Sequence, residues 1–159
     1  MPELTSKSGF SLVELALIIT IIGVLSVIAF PKIGNIIEDV REKAVSERIV
    51  EDINYIRNYA ISRHDTTWLV VEPAGNRYAL FTGPSAGVRT IIADPETSAT
   101  DTLDLDTDYP GVSITSASFG GGSEVSFNYW GTPSNGGSIV LNSRTITLGA
   151  ETGMAYETP

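Results

Sequence analysis

The chain has no cysteine, a single histidine and, beyond Arg89, a single base, and each scarcity removes a class of function. Without cysteine no disulfide framework can form, whatever the redox compartment. With His64 as the only imidazole and no thiolate, a zinc site finds too few of its usual ligands. From Asp94 onward nine acids face Arg144 alone, within a formal net charge of -9. Such a surface repels phosphate backbones, so nucleic acid is not an expected partner. Signatures of catalysis are missing too. There is no G-x-S-x-G elbow, and the triplet Gly120, Gly121, Gly122 lacks the Lys and following helix of a phosphate loop. Neither an enzyme nor a cofactor is expected.

Charge is also missing from one long stretch, and the rest of the chain is organised around it. Residues 10–30 are apolar but for a few hydroxyls and one carboxylate, Glu14. At ~1.5 Å per residue the run can cross a hydrocarbon core of ~30 Å as a helix. A carboxylate at the centre of such a helix costs roughly 2.5–3.5 kcal/mol and less toward an end, so Glu14 needs a reason to be there. A secretory signal peptide could use Val27, Ile28 and Ala29 as its cleavage region, but its apolar core should be ~7–15 residues long and free of acid. A plain single-pass anchor has the right length and no reason to place Gly9, Phe10 and Glu14 where they stand. The flanking bases, Lys7 and Lys32, do not fix an orientation by themselves.

A short polar leader ending in Gly9, then Phe10, Glu14 four residues later, and an apolar helix reaching Pro31 together resemble the type IV prepilin family, which includes pilins and the pseudopilins of type II secretion. The resemblance implies that a membrane-embedded prepilin peptidase cuts between Gly9 and Phe10 and methylates the new amino terminus. Glu14 then becomes the fifth residue of the mature chain, and its implied partner is the amino-terminal Phe10 of a neighbouring subunit. It also implies a leader in the cytoplasm, a single pass through the inner membrane and a carboxy-terminal domain in the periplasm.

The expected organisation is a leader over 1–9, a transmembrane and filament-core helix over 10–30, an amphipathic continuation over 31–64 and a β-rich domain over 65–159. Pro31 reads either as a helix end or as a kink in one long helix. The kink is favoured, because 32–63 holds no further proline and Ile33, Ile37, Val40 and Ala44, then Val45, Ile49, Ile53, Ile56 and Ala60, recur every three or four residues. The slip between Ala44 and Val45 predicts that 49–60 packs on a sheet while the earlier half stays free. Charged residues such as Glu42, Arg48 and Asp52 are assigned to the outward faces.

From Thr66 the period becomes two. Strands are expected at 67–72, 77–82, 88–93, 112–119, 124–130, 138–142 and 144–148, with a hairpin turn at Pro73, Ala74, Gly75 and Asn76. Residues 94–111 read as a long acidic surface loop. The fold class is therefore α+β and pilin-like, a long helix packed on an antiparallel sheet or small β-sandwich. Trp68, Tyr78, Phe81, Phe119, Phe127 and Trp130 are the expected large core residues. Asp104, Asp106 and Asp108 resemble the start of a calcium loop, but Tyr109 stands where its glycine belongs and Thr115 where its bidentate Glu belongs. His64, beside Asp65, reads as a cation at the helix end.

The 125–128 segment, the glycines at 131, 136 and 137, and 144–148 with Gly153 resemble the carboxy-terminal pattern of H-type minor pseudopilins and related minor pilins. That implies a minor pseudopilin of type II secretion, working with other pseudopilins in a periplasmic pseudopilus that helps export folded proteins. The alternative is a minor type IV pilin at a pilus tip, serving adhesion, motility or DNA uptake. Uptake would need carboxy-terminal bases, of which only Arg144 is present.

Overall fold

The structure, a computed structural model, describes residues 9–93 and 102–158, and of 27–35 the backbone alone. The expected leader up to Ser8 and the 94–101 part of the expected acidic loop lie outside the described residues. The elements in order are α1 (Leu12–Arg63), β1 (Thr67–Glu72), a 3-10 turn (Pro73–Gly75), β2 (Arg77–Ser85), β3 (Val88–Ile91), β4 (Leu103–Asp104), α2 (Leu105–Asp108), β5 (Ser116–Phe119), β6 (Glu124–Phe127), β7 (Gly137–Val140), β8 (Thr145–Leu148) and β9 (Ala155–Thr158). The chain divides after Ile37 into two compact units.

In the first unit the start of α1 is set by Ser11. Its carbonyl accepts the first helix bond, from the Leu15 N–H at 3.1 Å, and its Oγ accepts from the Val13 N–H at 3.3 Å, a donor with no partner inside the helix. Glu14 falls three residues after this cap, at the spacing of the one acidic member of an S-x-x-E capping box, where a negative charge also suits the helix dipole. The backbone stays helical through Pro31, so the proline does not end α1.

The second unit is built on the stripe the periodicity picks out. Val45, Ile49, Ile53, Ile56 and Ala60 are all but fully buried, whereas Val40 is 61% exposed. They pack with two antiparallel sheets in one core. The first sheet runs β3-β2-β1-β6, with β4 pairing the far end of β2, and the second runs β5-β7-β8-β9. Leu69, Val71, Tyr78, Leu80, Val125 and Phe127 come from the first sheet, Ile139, Ile146, Leu148 and Ala155 from the second. A Cβ on Gly137 would overlap the Ser118 carbonyl, which is how β5 and β7 come close enough to pair.

Several expected boundaries move, each for a local reason. Only 116–119 of the expected 112–119 strand pairs in a sheet. Val112 and Ile114 are instead held by the side chain of Asn76, whose Nδ2 donates to the Val112 carbonyl at 2.9 Å and whose Oδ1 accepts from the Ile114 N–H at 2.8 Å. Asn76 can do this because it turns the hairpin in the left-handed region, at φ 49°. The expected loop at 94–111 contains β4 and a one-turn helix, α2, capped by Asp104. The expected strand at 124–130 stops at Phe127, because the Asn128 Oδ1 accepts from the Trp130 and Thr132 N–H groups and turns the chain. Trp130, expected in the core, is therefore 72% exposed. Trp68 and Phe81 are half-buried on the outer face of the first sheet beneath the Arg89 guanidinium. Strand β9 was not expected at all.

Burial along α1 yields a paired test. Ile56→Ala should lower stability by about 2–5 kcal/mol, a cavity in a closed core, while Val40→Ala should change it by less than about 0.5 kcal/mol. Denaturant unfolding of both variants decides it, and equal losses would contradict the placement of the stripe.

Candidate assembly site

The residues singled out for processing and assembly lie in the first unit. Phe10 is 75% exposed and Glu14 is exposed one turn into α1. From Leu12 to Leu25 every side chain is exposed, including leucines, isoleucines and valines on all faces of the helix. A helix that is apolar all round has no stable place in water by itself and needs lipid or other helices around it. Its hydroxyls are already satisfied, since Thr20 Oγ1 donates to the Ala16 carbonyl and Ser26 Oγ to the Ile22 carbonyl, both at 2.7 Å. Among the described residues no helix is long and apolar enough to cross a membrane. The described side chains of the run stop at Ser26, and Pro31 lies among those not described.

In the second unit the outward assignment of Glu42, Arg48 and Asp52 is overturned, since all three are buried. Arg48 Nε lies 3.2 Å from Asp52 Oδ2, and the Tyr78 hydroxyl donates to the same oxygen at 2.6 Å. Burial, with the Asp52 carboxylate beside it, holds the Tyr78 hydroxyl well above its usual pKa. Buried Thr67 Oγ1 donates to the Ile56 carbonyl at 3.0 Å, which ties β1 to α1 as Tyr78 ties β2.

Toward the start of this unit, Glu42 accepts from the Ser143 and Arg144 N–H groups at 2.6 and 2.9 Å and from the Ser143 hydroxyl at 2.8 Å, closing the β7–β8 turn onto α1. Arg144 bonds Asp39 at 2.8 Å and Glu157 more closely, and these partners raise its pKa. Glu157 accepts from the Ser46 hydroxyl at 2.6 Å, and that bond, with Arg144, lowers its pKa. The one base that could have served DNA uptake is thus committed to two carboxylates of its own chain.

The acidic residues at 104–108 are largely occupied with local structure. Asp104 caps α2 by accepting from the Asp106 and Thr107 N–H groups, and Asp106 accepts from Asn76 Nδ2 at 2.6 Å. Among the described residues no cluster of three His, Cys, Asp or Glu side chains could hold a metal ion. His64 follows the last residue of α1 in the left-handed region and stacks on Tyr129 with ring centroids 6.0 Å apart. Asp65 turns away to the Thr66 N–H and the Thr82 hydroxyl. The sequence marks Asn76 only as a turn residue, and it gives no role to Ser11 as a cap or to the Asp52–Tyr78 pair. The S-x-x-E spacing signalled the cap, whereas nothing local in sequence signals a contact between residues 26 positions apart.

The family model of the type II transport protein GspH matches residues 45–154. No curated protein sequence matches the chain. Among solved structures, the chain is similar to the minor pseudopilin EpsH from the type II secretion system of Vibrio cholerae, at 10% identity and a TM-score of 0.58, covering 74% of this chain and 92% of that one. The likeness shows a shared fold.

Two substitutions test the buried contacts. Tyr78→Phe removes a hydrogen bond to a buried carboxylate and should lower stability by about 1.5–3 kcal/mol. Glu157→Gln should act through pH. A carboxylate whose folded pKa lies below its unfolded value of ~4.3 stabilises above that value, and the stabilisation disappears as pH falls through the folded value. The variant should be less stable than wild type at pH 7, with the gap closing below about pH 4 in circular-dichroism melts. A gap that is the same at every pH contradicts the assigned contact.

Proposed function

The chain belongs to the GspH family of type II transport proteins, the minor pseudopilins of type II secretion, and on that premise we propose that it is a structural subunit whose first unit serves as membrane anchor and then as filament helix. The observation that carries the assembly reading is the helix from Leu12 to Leu25, apolar and exposed on every face, joined to a domain that is well packed without it. In this reading the 10–30 run is a single pass through the inner membrane before assembly, with the second unit in the periplasm. Prepilin peptidase removes the leader after Gly9 and methylates Phe10. Pro31 marks where α1 bends. No catalytic role and no cofactor are assigned. The family match does not favour the minor type IV pilin alternative.

Glu14 has two physical roles to separate. As a capping residue it needs only an acceptor at the third helical position, which Gln also supplies. As the partner of a neighbour's Phe10 amino terminus in low dielectric, it needs its charge, and a subunit entering out of register would leave two charges unpaired.

The expected outcome is that Glu14→Ala and Glu14→Gln are both cleaved and N-methylated at Phe10, as mass spectrometry of the mature amino terminus reports, yet neither enters filaments or supports secretion. Wild-type incorporation of Glu14→Gln would leave only the capping role, and an intact Met1 in the wild-type protein would refute the prepilin reading.

A further inference from the structure

Asn135 differs from the other asparagines in its neighbour and in its freedom. It alone is followed by glycine, Gly136. Asn35, Asn54 and Asn58 lie within α1, and three more asparagines have carboxamides held by hydrogen bonds. Asn76 bonds Asp106, the Val112 carbonyl and the Ile114 N–H, and Asn128 accepts from two N–H groups. Asn142 accepts from the Ser113 N–H at 3.0 Å and donates to the Gly111 carbonyl at 2.8 Å. The Asn135 side chain is exposed, and its carboxamide makes no hydrogen bond among the described residues. Such a carboxamide is free to bring its Cγ against the next backbone nitrogen, and glycine leaves that nitrogen unshielded because it has no Cβ and the widest choice of φ.

Asn135 also stands where the chain crosses from one sheet to the other. Just before it the backbone is fastened to β6 of the first sheet, since the Ser134 N–H donates to the Ser126 carbonyl at 2.7 Å and the Ser134 Oγ accepts from the Ser126 N–H at 3.3 Å. Just after it β7 begins at Gly137, paired with Phe119 and Leu148 of the second sheet. The crossing has little room to spare. A Cβ on Gly120, at φ +63°, would fall 2.6 Å from Asn135 Cγ, and a Cβ on Gly136 would fall 2.9 Å from Ala150 Cβ.

We propose that Asn135 is a site of spontaneous modification in the folded protein, at which the Gly136 backbone nitrogen displaces the side-chain amide. The bond from Gly136 N to Asn135 Cγ forms and the Cγ–Nδ2 bond breaks. The Gly136 nitrogen gives up its proton, and Nδ2 leaves as ammonia. The cyclic imide so formed then takes up one water. Attack of water at Cγ reopens the ring to aspartate, whereas attack at the main-chain carbonyl carbon of residue 135 reopens it to isoaspartate, in which the main chain runs through Cβ and Cγ. Water is the only co-reactant, and no electrons are exchanged. Both products add a carboxylate to a chain whose net charge is already -9. Isoaspartate also lengthens the main chain by one methylene at the crossing between the sheets, so an aged subunit differs from a new one in charge and in the join between β6 and β7.

Peptide mapping by mass spectrometry of the full-length protein, kept folded in detergent at neutral pH, reads the exchange of amide for acid at each asparagine over time. Asn135 should convert about tenfold faster than any other asparagine, and within about tenfold of the rate in a free peptide covering 132–138. Isoaspartate should be among the products, as methylation by an isoaspartyl methyltransferase reports. Asn135→Gln, whose longer side chain would have to close a larger ring, should fold and lose the modification. The melting temperature of the wild type should fall as isoaspartate accumulates, while that of Asn135→Gln holds. Equal conversion at Asn128 or Asn142, a rate in the folded protein far below that of the peptide, or conversion only after unfolding in denaturant would each overturn the proposal. A melting temperature indifferent to the isoaspartate content would overturn its effect on the crossing.

Discussion

The second unit depends on α1 being seated in one rotational and axial setting against two sheets at once. Val45, Ile49, Ile53, Ile56 and Ala60 give it a stripe only one residue wide, and an apolar stripe is non-directional, so burial alone would tolerate a sliding or rolling helix. The setting is fixed by charges brought into the contact. Asp52 meets Arg48 and the Tyr78 hydroxyl beneath the first sheet, and Glu42 meets the Ser143 and Arg144 backbone at the turn of the second. Moving the helix by one residue would leave these carboxylates buried and unpaired, which costs far more than the apolar contacts would lose. The buried ions therefore specify the seating even where they add little net stability.

That seating decides where the surfaces of the domain stand. Arg144 bridges Asp39 on α1 and Glu157 on β9, so the last strand is tied to the helix and not merely to β8. Asn76, in the turn between β1 and β2, ties down the segment after α2 by taking the hydrogen bonds of the Val112 carbonyl and the Ile114 N–H. The polar side chains of this unit are occupied with holding loops still, and rigid loops allow a subunit to meet neighbours at a small entropic cost.

The buried stripe of α1, the α+β class and most strands are legible in the sequence because each rests on local periodicity. The stripe from Val45 to Ala60 reads directly as period 3.6, and 67–72 with 77–82 as period two around a Pro-Ala-Gly-Asn turn. What escaped depends on contacts remote in sequence. Glu42 and Asp52 look like solvent-facing acids unless one knows that a turn 101 residues later and Tyr78 supply their partners. Trp130 looks like core because tryptophan usually is, and only the Asn128 side chain, by ending β6 early, turns it outward. The processing and assembly roles proposed for Gly9, Phe10 and Glu14 rest on residue identity and spacing in the sequence.

The assembly contact proposed for Glu14 is physically compatible with its place at a helix start. A carboxylate at the third helical position is tolerated in the free chain because the unpaired N–H groups of the first turn, and the dipole they express, partly offset its charge. The same position puts it within a turn of Phe10, at the end of the apolar run where insertion is cheapest for an acid. A charge stabilised by its own helix end waits at modest cost, whereas one stranded at the middle of the run would pull the helix out of the lipid. The compensation is partial, so the carboxylate still gains from a cation, and the helix that carries it gains from neighbours on every face. Lipid alone can cover the apolar faces but offers the carboxylate no cation, whereas the proposed assembly of such helices would supply both at once.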